Sequence, residues 1–125
     1  MLSHKYIILD RDGVINHDSP AYIKNPQEWR PIKRSLEAIS LLTKNSYRIL
    51  LLSNQAGVSR GIIKYENLIK IHNKFISSCL DHGGNIFSTY YCYDHPDTNS
   101  TRRKPQSGMY LEIADRLGIN LSDVF

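Results

Sequence analysis

Asp10 and Asp12 are the first residues in the chain whose type and spacing could do chemistry. Two carboxylates two positions apart start on one face of an extended chain. Close like charges raise one pKa, so one group could attack as a nucleophile while the other carries a proton. Gly13 lets the backbone turn sharply after them. Ser53 and Asn54 could offer a hydroxyl and an amide to a phosphate, and Lys104 could neutralise the charge that builds up during phosphoryl transfer. Taken together these residues suit an acyl-phosphate mechanism. Taken singly they are ordinary: Asp-x-Asp-Gly is a common turn, Ser-Asn a common strand end, and Arg-Lys-Pro a common basic surface turn.

What separates the two readings is whether strands precede the clusters. Tyr6–Leu9 and Ile49–Leu52 are short continuous apolar runs that end in turn residues, as strands buried on both faces do. Ile86–Cys92 reads as a third strand. Leu36, Ile39 and Leu42, with Ala38 and Leu41 beside them, repeat at helical spacing after Pro31. Leu68, His72, Phe75, Ile76 and Cys79 mark one face of a second helix, ended by Gly83-Gly84. Tyr110, Ile113, Ala114 and Leu117 mark a last helix with Gly118 as its cap. Alternating strands and helices predict right-handed crossovers and an α/β fold: a three-layer, Rossmann-like parallel sheet with helices on both faces. The polar clusters 10–16, 53–60 and 102–104 would then converge at the carboxyl ends of the strands, where such sheets bind ligands.

Residues 17–30 form a connection longer than the roughly 2–6 residues usual after a strand. They read equally as a flap over the site or as a plain surface excursion. His17 and Asp18 lie close enough to the first cluster to meet a substrate, and Trp29 is expected to pack beneath the excursion. His72 and Cys79, on an apolar helical face, read as packed residues.

The 125 residues suit one domain. A hydrophobic share of 41% with 22% charged residues excludes a disordered chain. No apolar run approaches the roughly 18 residues of a membrane helix, and the N-terminal run, stopped by Asp10, is no signal peptide. Two cysteines, Cys79 and Cys92, make no disulfide framework, which points to the cytoplasm. A net charge of +4 favours an anionic partner without choosing among phosphorylated metabolites, nucleic acid and acidic surfaces.

In order and spacing, Leu9-Asp10-Arg11-Asp12-Gly13-Val14-Ile15-Asn16, Leu52-Ser53-Asn54-Gln55 and Lys104 resemble the first three motifs of the haloacid dehalogenase superfamily of phosphatases. Ser53–Gly61, Tyr90-Tyr91-Cys92 and Arg103-Lys104-Pro105 narrow the likeness to D-glycero-D-manno-heptose-1,7-bisphosphate phosphatases, with histidinol-phosphate phosphatase domains nearly as close. The resemblance runs over essentially the whole chain. It implies a cytoplasmic, magnesium-dependent hydrolase of carbohydrate metabolism that cleaves a phosphate monoester of a small phosphorylated sugar through an aspartyl-phosphate. Asp10 would be the nucleophile and Asp12 the general acid/base. Ser53, Asn54, Gln55 and Lys104 would surround the phosphate, with Arg60 and Arg103 on the substrate. Mg²⁺ would sit on Asp10 and the backbone carbonyl of Asp12. Two alternatives remain: a polynucleotide 3′-phosphatase, disfavoured by the lack of a basic stripe with interleaved aromatics, and an inactive pseudo-phosphatase that binds a partner.

Two departures qualify the resemblance. Where many of these phosphatases carry a zinc loop of four cysteine and histidine ligands, this chain has Cys92, Asp94 and His95, so no structural zinc is expected. The fourth motif, an aspartate pair that completes the magnesium site, would follow a strand beginning near Leu121–Phe125. The chain therefore reads as the N-terminal two thirds of the domain, with weakly held Mg²⁺ and an exposed edge on the first strand through which copies could associate.

Overall fold

A computed structural model describes residues 4–125. Three strands, β1 (Lys5–Leu9), β2 (Tyr47–Asn54) and β3 (Ile86–Cys92), form a parallel sheet in the order β1-β2-β3. Between them run α1 (Ser35–Lys44), the short α2 (Ala56–Ser59) and α3 (Tyr65–Asp81), and α4 (Gly108–Leu117) follows β3. Leu9 pairs with Leu51 and Asn54 with Cys92, so β2 and β3 end level and β1 stops three residues short of them. No helix among the described residues is long and apolar enough to cross a membrane.

The apolar runs explain the layers. Side chains alternate along a strand, so Ile7, Leu9, Ile49 and Leu51 face one core while Tyr6, Ile8, Leu50 and Leu52 face another. The first core is closed by Leu36 and Ile39 of α1 and by Ile71, Phe75 and Cys79 of α3. The second is closed by Met109 and Ile113 of α4, together with Cys92. Helices thus cover both faces, as the periodicity predicts. Leu41 and Ala38, read as part of the apolar face of α1, are instead exposed.

The 17–30 excursion contributes to the first core. Ile23 and Trp29 are buried, and Trp29 meets Phe75 at 6.0 Å between ring centroids. Lys74 of α3 straps the segment down by donating to the carbonyls of Pro26 and Trp29 at 2.7 and 2.9 Å. The segment is therefore more than a plain surface excursion, because its apolar residues are spent on packing.

One expectation needs correction. The outer edge of β1 is partly covered: Phe125 N–H donates to the Tyr6 carbonyl at 3.1 Å, and Ile8 N–H donates to the Phe125 carbonyl at 2.8 Å. Tyr6 and Val124 form a parallel bridge, directly after a single turn of 3₁₀ helix at Leu121–Asp123. The last residues thus occupy a strand position beside β1 and cover part of the edge expected to be bare.

Candidate active site

The carboxyl ends of the strands bring the predicted residues together. Asp10 leaves β1 with its side chain 41% exposed, and its Oδ1 lies 3.1 Å from Lys104 Nζ and accepts the Arg11 backbone N–H at 2.7 Å. Its other carboxyl oxygen takes no hydrogen bond among the described residues. Lys104 Nζ also donates to the Leu52 carbonyl at 2.8 Å, which holds the ammonium above the end of β2.

Asp12 is in the opposite situation. Only 19% of its side chain is exposed, and both oxygens are occupied. Oδ1 accepts from Arg11 Nε at 2.8 Å and from Asn16 Nδ2 at 3.0 Å. Oδ2 accepts from Arg11 Nη2 at 3.2 Å and from Gln55 Nε2 at 3.0 Å. Gly13, at φ +83°, takes the left-handed turn that folds Asn16 back over Asp12; its N–H donates to the Asn16 carbonyl at 2.8 Å.

These partners decide the charge of Asp12. Burial alone would push its carboxyl up, but the Arg11 hydrogen bond and charge, then the Asn16 and Gln55 amides, outweigh it and hold the group below its ordinary value. The expectation that two close carboxylates would raise one pKa is therefore corrected for Asp12. Asp10 and Asp12 each have a cation of their own, Lys104 and Arg11 respectively.

Gln55 is the brace of the corner. Its amide donates to Asp12 and, at 2.9 Å, to Ser53 Oγ, which leaves the Ser53 hydroxyl hydrogen free for another acceptor. Asn54 clasps the β3 loop instead: its Nδ2 donates to the Lys104 carbonyl at 3.3 Å and its Oδ1 accepts the Lys104 N–H at 3.2 Å. Part of the amide expected to face a phosphate is thus used to place Lys104. Gly108 permits the same loop to close, since its N–H donates to the Thr101 carbonyl at 2.7 Å and a Cβ there would run into that carbonyl.

A cavity of about 300 Å³ opens beside Lys104, lined by Arg103, Ser100, Thr101 and Gln106 among others. Arg103 Nη1 is buried without a hydrogen-bond partner among the described residues. Arg60 is exposed at the end of α2, and Arg102 is turned away into an ion pair with Glu112 at 3.0 Å. His17 and Asp18 are exposed, with Asp18 beside Gly13. At the end of β3 and in the loop after it, Cys92 is in the core, Asp94 accepts a hydrogen bond from Ser100, and His95 Nδ1 caps the Asp97 N–H at 3.1 Å.

A family model described as polynucleotide kinase 3 phosphatase matches residues 5–122. The chain belongs to this haloacid dehalogenase-type phosphatase family. It is 41% identical to the D-glycero-beta-D-manno-heptose-1,7-bisphosphate 7-phosphatase of Bordetella bronchiseptica, over 96% of this chain and 67% of that protein. The phosphatase of the same name from Pseudomonas putida is 40% identical over 97% and 69%. A crystal structure of D,D-heptose 1,7-bisphosphate phosphatase from B. bronchiseptica, complexed with magnesium and phosphate, superposes with a TM-score of 0.90, covering 94% of this chain and 65% of that one. The chain spans about two thirds of the length of these phosphatases.

Mg²⁺ prefers oxygen ligands, keeps several waters and commonly relies on one or two carboxylates plus a substrate phosphate. The free oxygen of Asp10 and the Asp12 carbonyl, which takes none of the turn's hydrogen bonds, fit that habit as an anchor. No group of three His, Cys, Asp or Glu able to hold a metal occurs among the described residues.

Sequence reasoning missed Arg11 and Tyr91. Arg11 is fully buried, with its guanidinium 5.8 Å from the centroid of the Tyr91 ring. The signal that could have found Arg11 is alternation along an extended chain: with Asp10 at the open strand end, the next side chain starts on the opposite face.

Proposed function

We propose that this protein hydrolyses a phosphate monoester of a small phosphorylated sugar, of the D,D-heptose 1,7-bisphosphate kind, by way of a phosphate carried on Asp10. The observation that carries this reading is the contrast between the carboxylates: Asp10 has an open oxygen beside Lys104, while Asp12 is held from four sides. The named activity of the relatives supports the substrate class.

In the first step a carboxylate oxygen of Asp10 attacks phosphorus and the bond from phosphorus to the sugar oxygen breaks; Asp12, which takes up a proton once the negative charge of the bound phosphate offsets the hold of Arg11, delivers that proton to the departing oxygen. In the second, Asp12 takes a proton from water as that water attacks the phosphoaspartate, releasing inorganic phosphate and restoring Asp10. Lys104 Nζ and the Ser53 hydroxyl bind the transferring oxygens, with the remaining N–H of Asn54; Arg103 and Arg60 meet the rest of the substrate. Mg²⁺, held by the Asp10 carboxylate and the Asp12 carbonyl, would neutralise phosphate charge when bound. The free thiols Cys79 and Cys92 suit a cytoplasmic enzyme.

The test is phosphate release by this chain from heptose 1,7-bisphosphate, histidinol phosphate and a 3′-phosphorylated oligonucleotide, with and without Mg²⁺. Release that needs Asp10 and Mg²⁺ and favours the sugar bisphosphate is the expected result. Preference for the oligonucleotide would replace the substrate class, and release indifferent to Asp10→Asn would overturn the mechanism.

A further inference from the structure

Arg11 is an expensive residue to bury. Its side chain is fully enclosed, and Nη1 has no hydrogen-bond partner among the described residues. Replacing a buried ion pair by well-packed apolar groups is often neutral or stabilising, so stability alone gives little reason for an arginine here. Its geometry gives a better one. Nε and Nη2 form a fork that reaches both oxygens of Asp12, at 2.8 and 3.2 Å. Asn16 and Gln55 reach one oxygen each. Only the fork ties both oxygens to a single rigid plane, which opposes rotation of the carboxyl about its Cβ–Cγ bond.

The plane is itself supported. The guanidinium lies over the Tyr91 ring, and the Tyr91 hydroxyl is 2.9 Å from His72 Nδ1. His72 in turn meets the rings of Tyr91 and Phe75 edge-on at 5.7 and 6.4 Å. The Arg11 carbonyl accepts the N–H groups of Val14, Ile15 and Asn16, so the same residue also shapes the turn that carries Asn16 to Asp12.

We propose that Arg11 is a positioning residue for phosphoryl transfer: its fork, resting on Tyr91, fixes the orientation in which the Asp12 carboxyl meets the leaving oxygen. This rests on the reading of Asp12 as proton donor. An alkoxide leaving group needs that proton, whereas nitrophenolate departs without it, so the two substrate types separate orientation of Asp12 from every other cause of lost activity.

The experiment compares kcat/KM for a sugar phosphate and for p-nitrophenyl phosphate in wild type, Arg11→Met, Arg11→Lys and Asp12→Asn, with thermal melts of each. Arg11→Met is expected to lose at least about tenfold more on the sugar phosphate than on the aryl ester, a part of the roughly 10²–10⁴-fold that a proton donor supplies. Arg11→Lys, which keeps charge without the fork, shares that selective loss. Equal losses on both substrates, or full activity in Arg11→Lys, would assign Arg11 a merely structural role and overturn the proposal. Asp12→Asn is the reference: a selective loss there without one in Arg11→Met sinks the inference alone, and no selective loss in Asp12→Asn sinks the donor reading with it. A crystal structure of Arg11→Met gives a readout independent of turnover. An Asp12 carboxyl turned off the Asn16 or Gln55 amide supports the proposal, and an unmoved carboxyl contradicts it.

Discussion

The corner between β1 and β2 and the loop after β3 contribute to one site by different means. The corner is buried and cross-bonded: Arg11, Asn16, Ser53 and Gln55 are all buried, and Asp12 accepts from three of them. The loop is more open, and the Lys104 it carries is tied to the corner by the Asn54 clasp and by its own bond to the Leu52 carbonyl. A group held from several sides in a low-dielectric corner keeps its orientation without help, whereas a loop keeps its position only through its few ties. The corner should therefore answer mutation mainly through stability and chemistry together, and the loop through chemistry with little loss of stability.

The contrast can be attacked at five points. Asp10→Asn removes the open carboxylate and should lower phosphate release by roughly 10⁴-fold or more, the scale of losing a nucleophile, with the fold intact by circular dichroism. Asn54→Ala unclasps the loop; a displacement of Lys104 by about 1 Å can cost on the order of 10²-fold in kcat, while the melting temperature should hardly move. A large drop in melting temperature there would erase the distinction between the two regions. Gln55→Leu leaves Asp12 and Ser53 each short of a donor in the buried corner, and should cost about 1–3 kcal/mol in denaturant unfolding as well as activity.

Acid should weaken the corner side first. Burial, then the charge of Arg11, lowers the His72 pKa, so below the ordinary value of about 6.5 the unfolded chain takes up a proton that the folded one resists. Stability thus falls as pH drops through that range. The Asp12 contribution, whose folded pKa is lowered, is present above about pH 4 and is lost only below it. Melting temperatures followed from pH 7 to 5 should decline, and His72→Gln should flatten the decline. The smallest effect is expected at Arg102→Ala, whose exposed pair with Glu112 contributes less than about 1 kcal/mol; phosphate release should be unchanged, because the side chain points away from Lys104.

Much of the framework is legible in the order of the residues alone. The both-faced burial of β1 and β2 follows from unbroken apolar runs, and the helices from 3.6-residue spacing, because solvent exclusion acts on each short segment separately. Leu41 shows the limit of that logic: its spacing suits a helix, but no neighbouring element arrives to cover it. The 17–30 excursion shows the same limit from the other side, since only the docking of α3 reveals that Ile23 and Trp29 are core residues held by Lys74.

Residue types and order by themselves determined the α/β architecture, the level at which Asp10, Ser53 and Lys104 meet, and the phosphatase family. Tertiary structure alone decided how the two carboxylates differ. Asp10 and Asp12 are identical in chemistry and close in the motif; the neighbouring Arg11 and Asn16 turn to Asp12, and partners 43 or more residues distant complete the separation: Gln55 on Asp12, and Lys104, placed by Asn54, on Asp10. Local sequence sets which groups stand at a strand end. The partners brought from beyond that motif, Gln55 after β2 and Lys104 after β3, meet the carboxylates only once the sheet has assembled.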